Sequence, residues 1–126
     1  MTTDSILNLV ILGGSKAGGK RIARGMAAGG IETRVYTLES VVSLEKTMLR
    51  IQPDLMLMHI TLPEDEQQLM LATLGRLSPS TRWIGLSPTN DDLNAIPAFA
   101  NGARDVVDFK NLPRVVVSIA RETNRL

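Results

Sequence analysis

Short apolar runs alternate with longer amphipathic segments along the whole chain. The first and third runs are almost continuously apolar, which is typical of parallel strands that are buried on both faces. The runs predict five strands, at residues 6–12, 33–38, 54–60, 82–86 and 105–109. Because strands and helices alternate, the pattern predicts a parallel sheet built from right-handed crossovers and covered by helices.

The segments between the runs carry apolar residues at steps of three and four, as amphipathic helices do. They predict a glycine-rich first helix and four more at residues 40–51, 66–77, 91–101 and 113–125. Pro97 predicts that the fourth is short, late-starting or kinked. In the last, Val116, Ile119 and Ala120 are predicted to face inward.

Five strands of this kind predict an α/β fold, a flavodoxin-like three-layer sandwich with strand order 2-1-3-4-5. In that order a ligand crevice lies beyond the carboxyl ends of strands 1 and 3. We therefore expect Gly13 and Gly14 to lie beside His59 at this end of the sheet.

Length and composition narrow the class of protein. The length of 126 residues suits a single domain over residues 1–126. The net charge of +1 gives no electrostatic reason to expect nucleic acid as a partner. The chain has no cysteine and one histidine, so disulfides, thiolate nucleophiles and multi-histidine metal sites are excluded within one chain. We expect no cofactor, no bound metal and no catalytic residue.

No segment resembles a signal peptide or a membrane span. Residues 1–5 are polar, and no apolar stretch approaches the roughly 20 residues that cross a bilayer. The expected location is the cytoplasm.

Residues 14–20 satisfy the pattern G-x-x-x-x-G-K of a phosphate-cradling loop. Arg21, however, stands where a serine or threonine hydroxyl would hold magnesium. A glycine-rich strand–helix turn is the simpler interpretation, and Lys16, Lys20 and Arg21 remain candidates for binding an anion at a helix N-terminus.

Two further features have a structural and a functional interpretation. His59 can be a general base, or a polar residue that fills a pocket mouth through backbone hydrogen bonds. Residues 115–117 are consecutive valines, and one helical stripe cannot bury all three. Val115, Val117 and the strand-5 residue Val106 are therefore candidates for a partner surface.

Several segments resemble the receiver domain of response regulators, over residues 6–123. Residues 53–63, Pro-Asp-Leu-Met-Leu-Met-His-Ile-Thr-Leu-Pro, resemble the receiver strand-3 signature. Residues 102–105, Gly-Ala-Arg-Asp, resemble the turn before strand 5, and residues 86–88 resemble the end of strand 4.

The resemblance implies a phosphoacceptor pocket whose chemistry has been lost. The positions of the magnesium-binding acids hold Gly13 and Gly14, and the phosphoacceptor position holds His59. Receivers have a lysine at the end of strand 5; Phe109 stands at that position here, and Lys110 is one residue further along the chain. Only Ser87 keeps the type of residue, a hydroxyl, that receivers have after strand 4. The aromatic switch position is Val106. The resemblance thus implies a pseudo-receiver that is not an enzyme.

The closing segment, residues 102–122, is similar to the N-terminal receiver-like domain of FimX-type GGDEF–EAL proteins. That resemblance implies a phosphorylation-independent interaction and dimerisation module, at the N-terminus of a longer signalling protein, in cyclic-di-GMP signalling linked to type IV pili and twitching motility. Its partners would be proteins, a second copy and attached C-terminal signalling domains, with recruitment to the cell pole. The alternatives are an anion- or nucleotide-responsive domain that uses residues 14–20, and the atypical receiver of a pilus-localisation ATPase.

Overall fold

The computed structural model describes residues 6–89 and 92–125. Five parallel strands form one sheet in the order β2-β1-β3-β4-β5, which confirms the predicted topology. The strands are β1 Leu7–Leu12, β2 Thr33–Leu38, β3 Leu55–His59, β4 Trp83–Ser87 and β5 Asp105–Asp108. The helices are α1 Lys16–Ala28, α2 Leu44–Arg50, α3 Glu64–Leu77, α4 Asp92–Ala100 and α5 Leu112–Glu122, with a 3₁₀ turn at Val41–Ser43.

Alternate side chains of the central strands belong to two core layers, one on each face of the sheet. Leu9 and Ile11 of β1 pack with residues of α1 and α5, whereas Val10 and Leu12 pack with residues of α2, α3 and α4. This explains why β1 and β3 read as continuous apolar runs: both of their faces are covered. The molecule is therefore the predicted three-layer sandwich.

Glycines within α1 let the helix approach its neighbours. A Cβ at Gly19 would lie 2.5 Å from the Thr37 hydroxyl oxygen of β2, and one at Gly25 would lie 2.8 Å from Val116 of α5. The glycines that lower the intrinsic stability of this helix are thus required by its packing.

Asp105 fixes α5 to the sheet. Its Oδ2 accepts hydrogen bonds from the Ser118 hydroxyl at 2.8 Å and from the guanidinium groups of Arg114 and Arg121, each at 3.0 Å. Asp105 and Ser118 are buried. The carboxylate therefore joins the edge strand to three positions along α5, and a charge-assisted network of this kind stabilises a fixed docking geometry.

The ends of three helices differ from the prediction. The segment predicted as helix 40–51 begins as a 3₁₀ turn, in which the Ser40 hydroxyl caps the Val42 amide. The fourth helix is short, as expected, and begins at Asp92; its predicted first residue, Asp91, lies outside the described residues. The fifth ends at Glu122, because Asn124 adopts a left-handed conformation (φ 58°) and the Arg125 amide bonds back to the Ala120 carbonyl.

The inward face of α5 is rotated relative to the prediction. Ile119 and Ala120 are buried as expected, but Val115 and Ser118 complete the buried stripe and Val116 is only partly buried. In the described ranges, 6–89 and 92–125, no helix has the length and apolar character that a bilayer crossing requires. Residues 1–5, on which the absence of a signal peptide was judged, lie outside those ranges.

Candidate functional site

A cavity of about 470 Å³ lies beyond the carboxyl ends of β1, β3, β4 and β5, where the topology predicts a ligand crevice. Its walls are mainly apolar, and none of the described lining residues is an aspartate or a glutamate. The lining residues are Ile11, Gly14, Ser15, Gly18, Gly19, Arg21, Ile22, His59, Thr61, Leu62, Leu86, Pro88 and Phe109.

The two glycines after β1 adopt a backbone conformation that side chains disfavour. Gly13 has φ 92° and Gly14 has φ 74°. A Cβ at Gly13 would lie 3.1 Å from the His59 Cβ, and a Cβ at Gly14 would lie 2.5 Å from the His59 Nε2. The expected juxtaposition is confirmed, and the imidazole occupies the space that a side chain at residue 14 would need.

His59 is held by packing. Its ring lies edge-on to the Phe109 ring, with centroids 5.3 Å apart and an interplanar angle of 63°. Burial lowers the pKa of the imidazole below its usual 6.5 and so favours the neutral form. Backbone hydrogen bonds to the ring were expected, but no described residue provides one, because the ring faces the cavity and Phe109.

The structure brings only some of the six predicted pocket residues together. Gly13, Gly14, His59 and Phe109 meet at the cavity or beside it. Ser87 is buried, and its hydroxyl accepts a hydrogen bond from the Thr89 amide at 3.2 Å without lining the cavity. Lys110 is exposed and does not line the cavity either. Of these two neighbouring residues, Phe109 lines the cavity and Lys110 does not.

The three predicted anion-binding cations do not form one site. α1 begins at Lys16, so Gly19 and Lys20 lie inside the helix rather than in a loop that cradles phosphate. Lys16 and Lys20 line a groove against Val35 of β2, whereas Arg21 lines the central cavity. The glycine-rich strand–helix turn, the simpler interpretation of residues 14–20, is what the structure has, and the cations lie in different grooves because successive helical side chains point in different directions.

The predicted partner surface is also divided. Val115 is 1% exposed and belongs to the core beneath α5, so this part of the prediction is wrong. Val117 is 45% exposed, and Val106 is half-buried on the opposite side of the sheet, beside the core that α2, α3 and α4 cover. Of the three consecutive valines at residues 115–117, Val117 faces outward, as the helical period requires.

Three exposed apolar side chains of α4 were not among the residues that the sequence singled out. Leu93, Ile96 and Phe99 of α4 are exposed by 74%, 60% and 49%. Their spacing of three places them on one helix face, opposite the buried Ala95 and Ala98. The signal was present in the sequence, since residues 93–100 contain no charged side chain.

The chemistry of the cavity differs from that of a phosphoryl acceptor. Magnesium prefers oxygen ligands, and acyl-phosphate formation needs a carboxylate. Within the described ranges, His, Asp and Glu residues form no group of three that could hold a metal ion. The cavity offers instead apolar walls with a guanidinium, an imidazole and two hydroxyl groups at the edges.

No protein-family model matches the sequence, and no curated protein matches it. Solved structures share its fold. A response regulator from Thermotoga maritima superposes with a TM-score of 0.80 at 15% identity, covering 95% of this chain and 99% of its own. An atypical orphan response regulator, described as having a phosphorylation-independent regulatory mechanism, has a TM-score of 0.70 at 16% identity, covering 95% and 98%.

A pilus assembly protein, CpaE, from Burkholderia thailandensis has a TM-score of 0.71 at 18% identity, covering 95% of this chain and 99% of its own. The class that these neighbours and the strand order define is the flavodoxin-like receiver fold. Within that class, the structures of similar fold include an orphan response regulator described as atypical.

Replacement of Gly14 by alanine tests the fit of the imidazole. Gly30→Ala is the matched control, because Gly30 also has positive φ (83°) but has nothing within 4 Å of a Cβ. We expect the control to lower the free energy of unfolding by about 1–2 kcal/mol through backbone strain alone. Gly14→Ala should cost about 1 kcal/mol more, because the imidazole must move.

Urea denaturation measures the free energy of unfolding of Gly14→Ala and of Gly30→Ala. In a His59→Ala background, Gly14→Ala should lower this free energy no more than Gly30→Ala does. An excess that persists there would show that something other than the imidazole fills the space.

The lowered pKa of His59 predicts a pH dependence of stability. As pH falls below about 6.5, the unfolded chain binds a proton before the folded chain does, so the free energy of unfolding decreases. The decrease ends once the folded imidazole is also protonated. His59 is the only histidine, so His59→Gln should remove this slope.

The measurement is the free energy of unfolding at several pH values between about 7.5 and 5, in both proteins. Parallel curves would contradict burial of the imidazole.

Proposed function

We propose that this chain is an interaction module with a receiver fold that works without phosphorylation. The observation that carries the proposal is the replacement of the acceptor and metal-binding acids by Gly13, Gly14 and His59 in a cavity with apolar walls. Without a carboxylate the acyl phosphate cannot form, and without oxygen ligands no magnesium ion neutralises the incoming phosphoryl group. The similar fold of an orphan response regulator with a phosphorylation-independent mechanism supports this assignment.

Treatment with acetyl phosphate and magnesium tests the loss of chemistry. We expect the intact mass of the protein to stay unchanged, while an ordinary receiver in the same reaction gains one phosphoryl group. A phosphoryl adduct that is lost in His59→Asn would overturn the proposal and identify the imidazole as the acceptor.

The retained scaffold offers a surface for a partner. α4 packs against β4 and β5 through its inner face, and its outer face carries Leu93, Ile96 and Phe99. Exposed apolar side chains clustered on one helix face are a common mark of a protein–protein contact, so this face is expected to be covered in the assembled protein. Val106 lies on the same side of the sheet. We call these four residues the α4 surface.

The exposed faces of α3 and α5 are more polar. The first turn of α3 carries three acidic residues, and the exposed part of α5 includes Arg114 and Arg121 around Val117. Of these helix faces, the α4 surface is thus the one that gains most from removal from water. We propose that it joins two copies of this chain, because a symmetric dimer would cover the same apolar patch on both.

Substitution of Ile96 by lysine tests this interface. We expect the native chain to dimerise with increasing concentration and Ile96→Lys to remain monomeric, because a charged side chain is costly to bury in an apolar interface. Leu69→Lys is the matched control, since Leu69 of α3 is exposed to a similar degree, 53% against 60%. Light scattering during gel filtration measures the mass, and circular dichroism checks the fold.

If Ile96→Lys and Leu69→Lys lose the dimer equally, the loss reflects a general gain in solubility and not disruption of the α4 surface. A native chain that stays monomeric at all concentrations would contradict the homodimer.

We further propose a pilus-related setting for the module. Two structures with this fold belong to proteins assigned to pilus assembly, from Burkholderia pseudomallei and B. thailandensis. The link to cyclic-di-GMP signalling, twitching motility and the cell pole rests on the resemblance of residues 102–122 to FimX-type proteins. The full-length reading frame would distinguish the two candidate protein families. GGDEF–EAL domains after Leu126 would support a FimX-type protein, and an ATPase domain there would support a pilus-localisation ATPase.

A further inference from the structure

The cavity at the carboxyl end of the sheet is large for a site that has lost its chemistry. A volume of about 470 Å³ falls within the range of small-molecule pockets, which are concave, mainly apolar and equipped with a few polar groups. Gly14, Arg21 and Phe109 are among its lining residues, so the space is a feature of this chain's own residues.

The walls of the cavity select an apolar body. Ile11, Leu62, Leu86 and Phe109 line it, and the neutral form of the His59 imidazole is favoured by burial. An aromatic or branched aliphatic group placed there would be removed from water, which is favourable in proportion to the apolar area buried.

The polar groups at the edge select a negative charge. Arg21 of α1 lines the cavity, and its guanidinium donates one long hydrogen bond, of 3.4 Å, to the Lys110 carbonyl. Among the residues that the structure describes, no acidic side chain lines the cavity and no carboxylate forms an ion pair with Arg21. A guanidinium in this situation has donors available for a carboxylate, which it binds with two parallel hydrogen bonds.

We propose that this cavity binds a small organic acid, with an apolar body between His59, Leu62 and Phe109 and a carboxylate at Arg21. The site is distinct from the α4 surface, so the absence of a homodimer would leave it standing. It also differs from the phosphate-loop hypothesis, because Lys16 and Lys20 face the groove beside Val35 and take no part in it.

Three probes separate the two halves of the site. Indole-3-acetate carries both the apolar body and the charge, indole-3-acetamide carries the body without the charge, and acetate carries the charge without the body. Each is titrated into the whole chain while backbone amide shifts are followed by NMR. We expect indole-3-acetate to shift the amides of Gly14, Ser15 and Phe109 and to bind about tenfold more tightly than the amide.

Two neighbouring substitutions provide the matched test of the cation. Arg21→Gln removes the guanidinium from the cavity, whereas Lys20→Gln removes an equal charge from the other face of the same helix; both side chains are exposed, so the fold should persist. We expect Arg21→Gln to abolish the preference for the acid and Lys20→Gln to retain it.

Absence of cavity shifts with indole-3-acetate up to about 10 mM would overturn the proposal. Equal binding of acid and amide to the native chain would overturn the role of Arg21. If Arg21→Gln and Lys20→Gln lose the preference for the acid equally, the preference reflects the overall positive charge of α1 and not a site at Arg21.

Discussion

The imidazole of His59 stands in the space that a side chain at residue 14 would occupy, and the arrangement of the whole cavity follows from this contact. Gly14 tolerates the contact because it lacks a Cβ and can adopt φ 74°. Phe109 then closes on the free edge of the imidazole. Gly14, His59 and Phe109 are therefore coupled: an acidic side chain at residue 14 would require the imidazole to leave, and the aromatic contact would be lost with it.

The scaffold around the altered pocket keeps strong internal connections. Asp105 holds Ser118, Arg114 and Arg121 at fixed positions along α5, and the glycines of α1 allow that helix to pack closely on β2 and α5. These interactions do not depend on a phosphoryl group or a metal ion. The fold can thus stay intact while the chemistry of its crevice changes, which is why fold and function must be argued separately.

The pocket and the α4 surface lie on connected elements. Pro88, in the loop that leads from β4 toward α4, lines the cavity, and Phe109 directly follows β5, against which α4 packs. The fold thus has a crevice at the end of the sheet and a helix with exposed apolar side chains at its side. The resemblance to atypical as well as ordinary receivers fits such a division.

The sheet order, the positions of the strands and the meeting of Gly13, Gly14 and His59 could all be predicted from the sequence. Buried parallel strands are continuous apolar runs, and their carboxyl ends share one edge of the sheet. The direction in which each helix faces could not be predicted in this way, because it depends on packing against neighbouring elements. The apolar period shows that α5 has a buried stripe, but packing against β5 placed Val115 inside it and left Val117 outside. Likewise, adjacent cations on α1 were separated onto two faces, and the apolar α4 was left exposed, because a helical period fixes relative directions along a helix and only contacts with its neighbours fix the absolute ones.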